Sequence, residues 1–295
     1  MNVISDYEYP LDVLEISGIG KAFTSIGYNF LLIKRKEKEI LDAFAEKKPD
    51  IFITHISMID RATYKAIKNN QNCKTFIYVE KENDLDKFKD FKNVFFISKE
   101  INKFSIFLPP SCDIYLCLKP ELEESMISEI CYIGNYKKDF VLNNFFNDFD
   151  VKCWGKTIWP FNSYLGLLKQ NKLKNAIFSS KTSIYDDNCE NKTWPLYFYM
   201  CNKPIINFKS IWLHEFLNKN SILINTEEEL LNEIQDIIKD NNKHKENIET
   251  NTKNISNNHL CHNRVSAILD YADLKEDSLK CLNVAKEITK KYLIY

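Results

Sequence analysis

The stretch CYIGNYKKDF, residues 131–140, decides how this chain is read. A short apolar run, 130–133, stops at Gly134. Asn135, Tyr136, Lys137 and Lys138 follow, and a helical pattern begins at 139. Strand, glycine turn and helix make up the repeating unit of a parallel α/β sheet. A glycine at a strand end lets backbone approach a ligand closely. The next helix offers unpaired N–H groups to an anion, and two ammonium groups add charge, an arrangement suited to a phosphate or diphosphate. The same residues also make a plain turn with solvated lysines. GNYKKD matches neither the dinucleotide fingerprint nor the P-loop, which disfavours dehydrogenases and P-loop NTPases.

Outward from this turn, the first half alternates apolar strands with helices. YNFLLI (28–33), DIFITHI (50–56), KTFIYVE (74–80), NVFFIS (93–98) and FSIFLPP (104–110) read as strands. KEKEILDAFAEKK (36–48), RATYKAIKNN (61–70) and DLDKFKDF (84–91) read as helices. Buried strands between helices imply a parallel sheet covered on both faces. The proline-bearing segment 108–128 reads as a crossing between domains. The alternation then restarts. EICYIG, VKCWG (151–155), NAIFSS (175–180), KPIINF (203–208) and SILIN (221–225) are expected strands. Segments 139–149, 163–172, 196–202, 211–217 and 226–240 are expected helices, the last opened by a Thr226/Glu229 capping box. The polar run 241–259 admits a linker or a solvated helix, and the seven-residue spacing of Ile248 and Ile255 favours the helix. Helices over 261–272 and 273–295 close the chain.

The totals agree with two domains. The chain has 295 residues, 44% of them hydrophobic, enough apolar surface for two cores. The formal net charge of −1 gives no global field to attract nucleic acid or an anionic membrane. Nine cysteines, odd in number and irregularly spaced, read as buried free thiols of a reducing compartment. No basic, apolar leader opens the sequence, and no apolar run approaches the ~20 residues of a membrane span. These features point to a cytoplasmic protein.

In order, "LPPSCD", "YIGNYKKDF", "VKCWG", "NAIFSS", "YFYMCNKPIINF", "TEEELLNEIQDIIKD" and "CHNRVSAIL" resemble the segments of the CgeB-type (spore-maturation-protein-like) glycosyltransferases, over about two-thirds of the chain. That family carries a G-S/N-x-x-x-R/K loop after the first strand of its C-terminal domain. The resemblance implies an α/β protein of GT-B fold, two Rossmann-like domains with parallel sheets facing a central cleft. The domains would be 1–125 on the acceptor side and 126–272 for the nucleotide sugar, with helix 273–295 packing back on the first. It implies transfer of a sugar from a nucleoside-diphosphate sugar, with a UDP-sugar favoured, to an acceptor hydroxyl, without a metal or other cofactor.

The resemblance also assigns roles. The diphosphate sits on the backbone of Gly134, Asn135 and Tyr136. Lys137 or Lys138, with Lys181 or Lys192 from facing loops, offsets the leaving group's growing charge. Trp154 and Gly155 lie beside the nucleotide base, although Trp154 serves equally as core. Where the family has a ribose-gripping glutamate, this chain has Tyr197, which leaves room for a non-catalytic nucleotide-sugar-binding scaffold. On the acceptor side, an inverting enzyme needs a base. The loop 5–23 supplies Asp6, Glu8 and Asp12, and His55 ends a strand. Asp186-Asp187 is the one candidate acidic pair for a metal. His259, Cys261 and His262 share a helix, without a second ligand pair. The acceptor is a glycan, a protein or a modified DNA base. The last belongs to a phage-type reading supported by the basic run 34–38.

Overall fold

A computed structural model describes residues 1–7, 13–34, 37–81, 85–136, 148–186, 192–240 and 242–292. The chain divides into two compact units. The first joins Met1–Asp113 to His259–Lys291, and the second is built on Ile114–Asn258.

The first unit holds a parallel sheet made of β1 (Asn2–Tyr7), β2 (Asn29–Lys34), β3 (Ile51–His55), β4 (Lys74–Tyr78), β5 (Val94–Ser98) and β6 (Ile106–Phe107). Their spatial order is β2-β1-β3-β4-β5-β6. Strand alternation sends side chains to two apolar faces. Val3, Ile51, Ile53, Phe76 and Tyr78 pack with α1 (Val13–Ser25), α9 (Cys261–Tyr271) and Cys281 of α10 (Lys275–Tyr292). Ile4, Phe52, Ile77 and Val79 pack with α2 (Glu37–Lys47) and α3 (Arg61–Asn69).

The second unit repeats the plan with β7 (Ser128–Ile133), β8 (Val151–Trp154), β9 (Ser180–Tyr185), β10 (Ile205–Phe208) and β11 (Ile222–Ile224), in the order β11-β10-β9-β7-β8. Numbered from its own first strand, this sheet also runs 2-1-3-4-5. Around it lie α4 (Leu173–Phe178), α5 (Trp194–Met200), α6 (Ile211–Phe216), α7 (Glu227–Lys239) and α8 (Lys245–Asn258). The capping box of α7 is present: the Glu229 N–H donates to Thr226 Oγ1 at 3.2 Å, and the Glu229 carboxylate accepts from the Thr226 N–H at 3.1 Å. The run 245–258 is helical, with Ile248 and Ile255 on its buried side.

Several local expectations are corrected. The segment 5–23 is not one loop: it begins in β1 and ends in α1, so Gly18 and Gly20 are helical. A Cβ on Gly18 would strike Cys261 Sγ, and one on Gly20 would lie 2.6 Å from the Phe30 ring. These glycines allow close packing. NAIFSS is mostly helix, because Leu173, Ala176 and Ile177 share the buried side of α4. The strand is the more polar SKTSIY, in which the buried Ser180 hydroxyl donates to Ile177 O and that of Thr182 to Pro204 O. The expected helix over 163–172 is irregular: Tyr164 pairs beside Cys153, and Gly166 turns at φ +84°. The expected helix over 139–149 falls largely outside the described residues.

The first unit ends at Asp113, inside the expected crossing 108–128 rather than at 125, and takes back α9, which was expected in the second domain. The reason is packing: Val265, Ile268 and Leu269 of α9 share a core with Ile16 and Ile19 of α1. Where the chain leaves and re-enters this unit, two segments pair. The Cys112 N–H donates to His259 O (2.8 Å), and the Cys261 N–H to Cys112 O (3.0 Å). The Arg264 guanidinium, buried beside them, donates to Pro109 O (2.5 Å), Pro110 O (2.9 Å) and His259 Nδ1 (2.9 Å). Buried Glu15 accepts from Ser111 Oγ (3.0 Å) and Lys99 Nζ (2.5 Å).

Candidate functional site

In an open α/β sheet, ligands bind beyond the carboxyl ends of the strands, where the strand order reverses. The 2-1-3 order puts that reversal between β1 and β3 in the first unit and between β7 and β9 in the second. Several of the residues singled out in the sequence lie at these two places.

At the second reversal, β7 ends at Ile133 and runs into Gly134, while β9 ends at Tyr185 and runs into Asp186. The buried Tyr132 hydroxyl spans the pair, donating to Asp186 Oδ1 at 3.1 Å. The loop after β8 closes over this end. Trp159 meets Tyr132 and Tyr136 edge-on, each with ring centroids 5.3 Å apart. The loops are also tied reciprocally: the Lys156 N–H donates to Asn135 Oδ1 (3.2 Å), and the Tyr136 N–H to Thr157 Oγ1 (2.5 Å).

The two glycines here have a shared cause. A Cβ on Gly155 would collide with the Gly134 carbonyl, and one on Gly134 would lie 2.5 Å from the Tyr132 hydroxyl. Both positions permit close approach between backbone and its neighbours. Of the three amides expected to cradle a diphosphate, that of Gly134 is bonded to Trp154 O (2.9 Å) and that of Tyr136 to Thr157. An anion binding at Tyr136 therefore displaces the Thr157 hydroxyl. Lys137 and Lys138 lie outside the described residues.

The remaining donor-side residues separate. Lys192 precedes α5 on the same edge of the sheet, its ammonium 5.4 Å from the Trp212 ring centroid, within reach of a cation–π contact. Tyr185 joins that cluster, with ring centroids 5.7 Å from Trp194 and 6.0 Å from Trp212. Lys181 does not belong with Gly134. It sits near the amino end of β9, with Nζ 3.9 Å from Glu129 Oε1. From Glu129 to Gly134 the strand covers roughly 16 Å at about 3.3 Å per residue. Trp154 is 2% exposed and Tyr197 fully buried, so both are core side chains rather than ligand-facing ones. Sequence placed Tyr197 correctly on a helix before a strand, but its inward rotation depends on tertiary packing.

At the first reversal, Asp6 and His55 lie near the carboxyl ends of neighbouring strands, and both are buried. Alternation puts Asp6 on the face of Ile4, and His55 on the face of Ile51 and Ile53. The His55 ring accepts the Ser57 N–H at Nδ1 (3.2 Å), with Ser57 Oγ 2.8 Å from the same nitrogen and Glu80 Oε1 3.8 Å from Nε2. An accepting Nδ1 leaves the neutral ring's proton on Nε2. Neither Ser57 nor Glu80 was singled out in the sequence, because nothing local marks them. Glu8 and Asp12 lie outside the described residues.

Among the described residues, no three or more His, Cys, Asp or Glu side chains are grouped to hold a metal, and no helix is long and apolar enough to cross a membrane. Asp187 is outside the described set. His259 faces the Arg264 guanidinium, and His262 Nε2 lies 3.4 Å from Ser25 Oγ. Burial pushes His259 down to about 3, with Arg264 adding to the effect, and pushes His262 down to about 4. All eight described cysteines are buried and free. Burial raises the thiols of Cys131, Cys153, Cys201 and Cys261, which keeps them protonated and inert.

No protein-family model matches the sequence, and no curated protein is similar to it at the sequence level. Solved structures do match. HepE of Anabaena, solved in complex with UDP-glucose, aligns with a TM-score of 0.59 at 10% identity, covering 92% of this chain and 99% of HepE. Sucrose-phosphate synthase of Thermosynechococcus elongatus aligns with a TM-score of 0.55 at 11% identity, covering 98% of this chain and 99% of that enzyme. With two parallel α/β units matching such proteins over nearly their full lengths, this chain has the GT-B fold.

Proposed function

We propose that this protein is a glycosyltransferase that moves a sugar from a nucleoside-diphosphate sugar, a UDP-sugar first among them, to an acceptor hydroxyl. One observation carries the reading. Gly134, Asn135 and Tyr136 lie at the strand-order reversal of the second sheet, in a chain that aligns over 92% of its length with a protein solved with UDP-glucose. The second unit takes the donor. The diphosphate lies along Gly134–Tyr136, with Lys137, Lys138 and Lys192 as the cations that offset charge on the leaving group. No metal is required in this scheme, since fixed cations do that work. The first unit takes the acceptor and supplies the base. The order of the quoted segments favours the CgeB-type family within this fold.

A second reading has its own support. Tyr197 stands buried where that family has a ribose-gripping glutamate, and two of the three cradle amides are already bonded within the protein. A scaffold that binds a nucleotide sugar without transferring it fits those facts.

Calorimetric titration of the full chain with UDP-, GDP- and ADP-glucose tests both. Transferase and scaffold alike predict binding of at least one donor, weakened about tenfold or more, ~1.4 kcal/mol, by Lys137→Ala/Lys138→Ala. Slow donor hydrolysis without added acceptor selects the transferase. No binding of any donor ends both readings.

A further inference from the structure

We propose that Ser57, His55 and Glu80 form a proton relay for the acceptor: Ser57 Oγ meets the acceptor hydroxyl, His55 Nδ1 takes the proton, and Glu80 is a positioning residue that steadies the charged ring. The proposal rests on the glycosyl-transfer reading above.

Access and geometry argue for it together. His55 ends β3 beside the strand-order reversal of the first sheet, but only 6% of the residue is exposed. Its Nδ1 lone pair is already directed at Ser57, whose backbone N–H it accepts at 3.2 Å. Since Nδ1 is an acceptor there, the Ser57 hydroxyl 2.8 Å away must be the donor. Ser57 itself is exposed, in the short 3-10 turn Ile56–Met58. A buried base is thus reached from solvent through an exposed hydroxyl. Glu80 follows β4 on the same face of the sheet, by the alternation that places Phe76 and Tyr78 there. Its side chain is 70% exposed, with Oε1 3.8 Å from Nε2. Capping the turn needs only the N–H bond to Nδ1; it gives no reason for the hydroxyl to share that lone pair or for a carboxylate on the other nitrogen.

The step balances. The acceptor oxygen bonds to the anomeric carbon as the bond from that carbon to the diphosphate oxygen breaks, its electron pair leaving with the nucleoside diphosphate. The acceptor proton passes to Ser57 Oγ while the Ser57 proton passes to His55 Nδ1. The resulting imidazolium, with both nitrogens protonated, lies beside the Glu80 carboxylate, and later returns its proton to solvent.

The test uses the full chain with UDP-, GDP- and ADP-glucose as donor probes and water as acceptor. For whichever donor is cleaved, Ser57→Ala should lower kcat about 100-fold, the lower end of general-base contributions, with KM within about threefold. Ser57→Thr, which restores a hydroxyl, should recover most of that loss. His55→Gln combined with Ser57→Ala should be no worse than either alone, as expected of groups acting as a unit. Glu80→Gln, a surface change, should cost about tenfold in kcat. Nitrogen-15 imidazole spectra should show the neutral His55 proton on Nε2, independently of turnover. A cleaving wild type whose Ser57→Ala variant keeps kcat within threefold, or an Nδ1–H tautomer, overturns the relay and leaves the transferase reading standing. A wild type that cleaves none of the three donors overturns both.

Discussion

The Tyr132 hydroxyl donates a 3.1 Å hydrogen bond to Asp186, joining the two strands on either side of the second sheet's reversal. Tyr132 is fully buried and Asp186 nearly so. Tyr132→Phe keeps the ring and its contact with Trp159 but takes one donor from a buried carboxylate. The expected loss is about 1–3 kcal/mol, read from the urea midpoint at constant m-value.

Gly155→Ala should be costly for a different reason. Its new Cβ meets the Gly134 carbonyl, which belongs to backbone and cannot swing aside as a side chain would. Overpacking of this kind costs about 1–3 kcal/mol. The displacement falls on the proposed diphosphate loop, so donor affinity in calorimetry should drop along with stability.

Lys181→Ala and Lys192→Ala should part company. Lys181 lies by Glu129 at the amino end of its strand, and its removal should leave donor affinity within about twofold of wild type. Lys192 stands at the carboxyl edge against Trp212, and its removal should weaken binding by about fivefold, roughly 1 kcal/mol. Equal effects from the two lysines would contradict the placement of the site.

Arg264→Met removes a buried guanidinium from the carbonyls of Pro109 and Pro110 and from His259 Nδ1. Leaving those buried acceptors without their donor costs about 1–3 kcal/mol. With the neighbouring cation gone, the His259 imidazole should also titrate higher than its present value of about 3, a change visible by NMR.

His262 and His259 should shape the acid side of the stability curve. Both are neutral in the fold, held down to about 4 and about 3 from an ordinary 6.5. The unfolded chain therefore binds more protons below pH 6.5. The stabilisation is complete above that value and is lost as pH falls toward the folded values. His262→Gln should flatten the stability–pH slope between pH 6 and 4.5 by up to about 1.4 kcal/mol per pH unit, measured by denaturation at each pH.

Much of the architecture was legible in the sequence because it is local. Period-two and helical apolar patterns, the break at Pro49, the Thr226/Glu229 capping box and glycines at strand ends each report on a few neighbouring residues, and together they announce two parallel α/β sheets. The misreadings were also local. NAIFSS is apolar enough for a strand, yet its buried residues fall at helical spacing, and the hydroxyl-rich segment after it enters the sheet instead.

Which side chains meet was decided only by tertiary structure. Strand order and register are non-local, and one residue of parity sends a side chain to the other face. Asp6 and His55 end neighbouring strands yet turn apart, while Glu80, two strands from β1, shares the His55 face. Lys181 was expected past the carboxyl end of a strand over 175–180, but the strand runs from Ser180 to Tyr185, so Lys181 lies at its amino end, away from Gly134. The sequence by itself determined that the chain builds two parallel α/β sheets. Only the folded chain, by setting face and end for every strand, determined which of its charged and nucleophilic groups could act together.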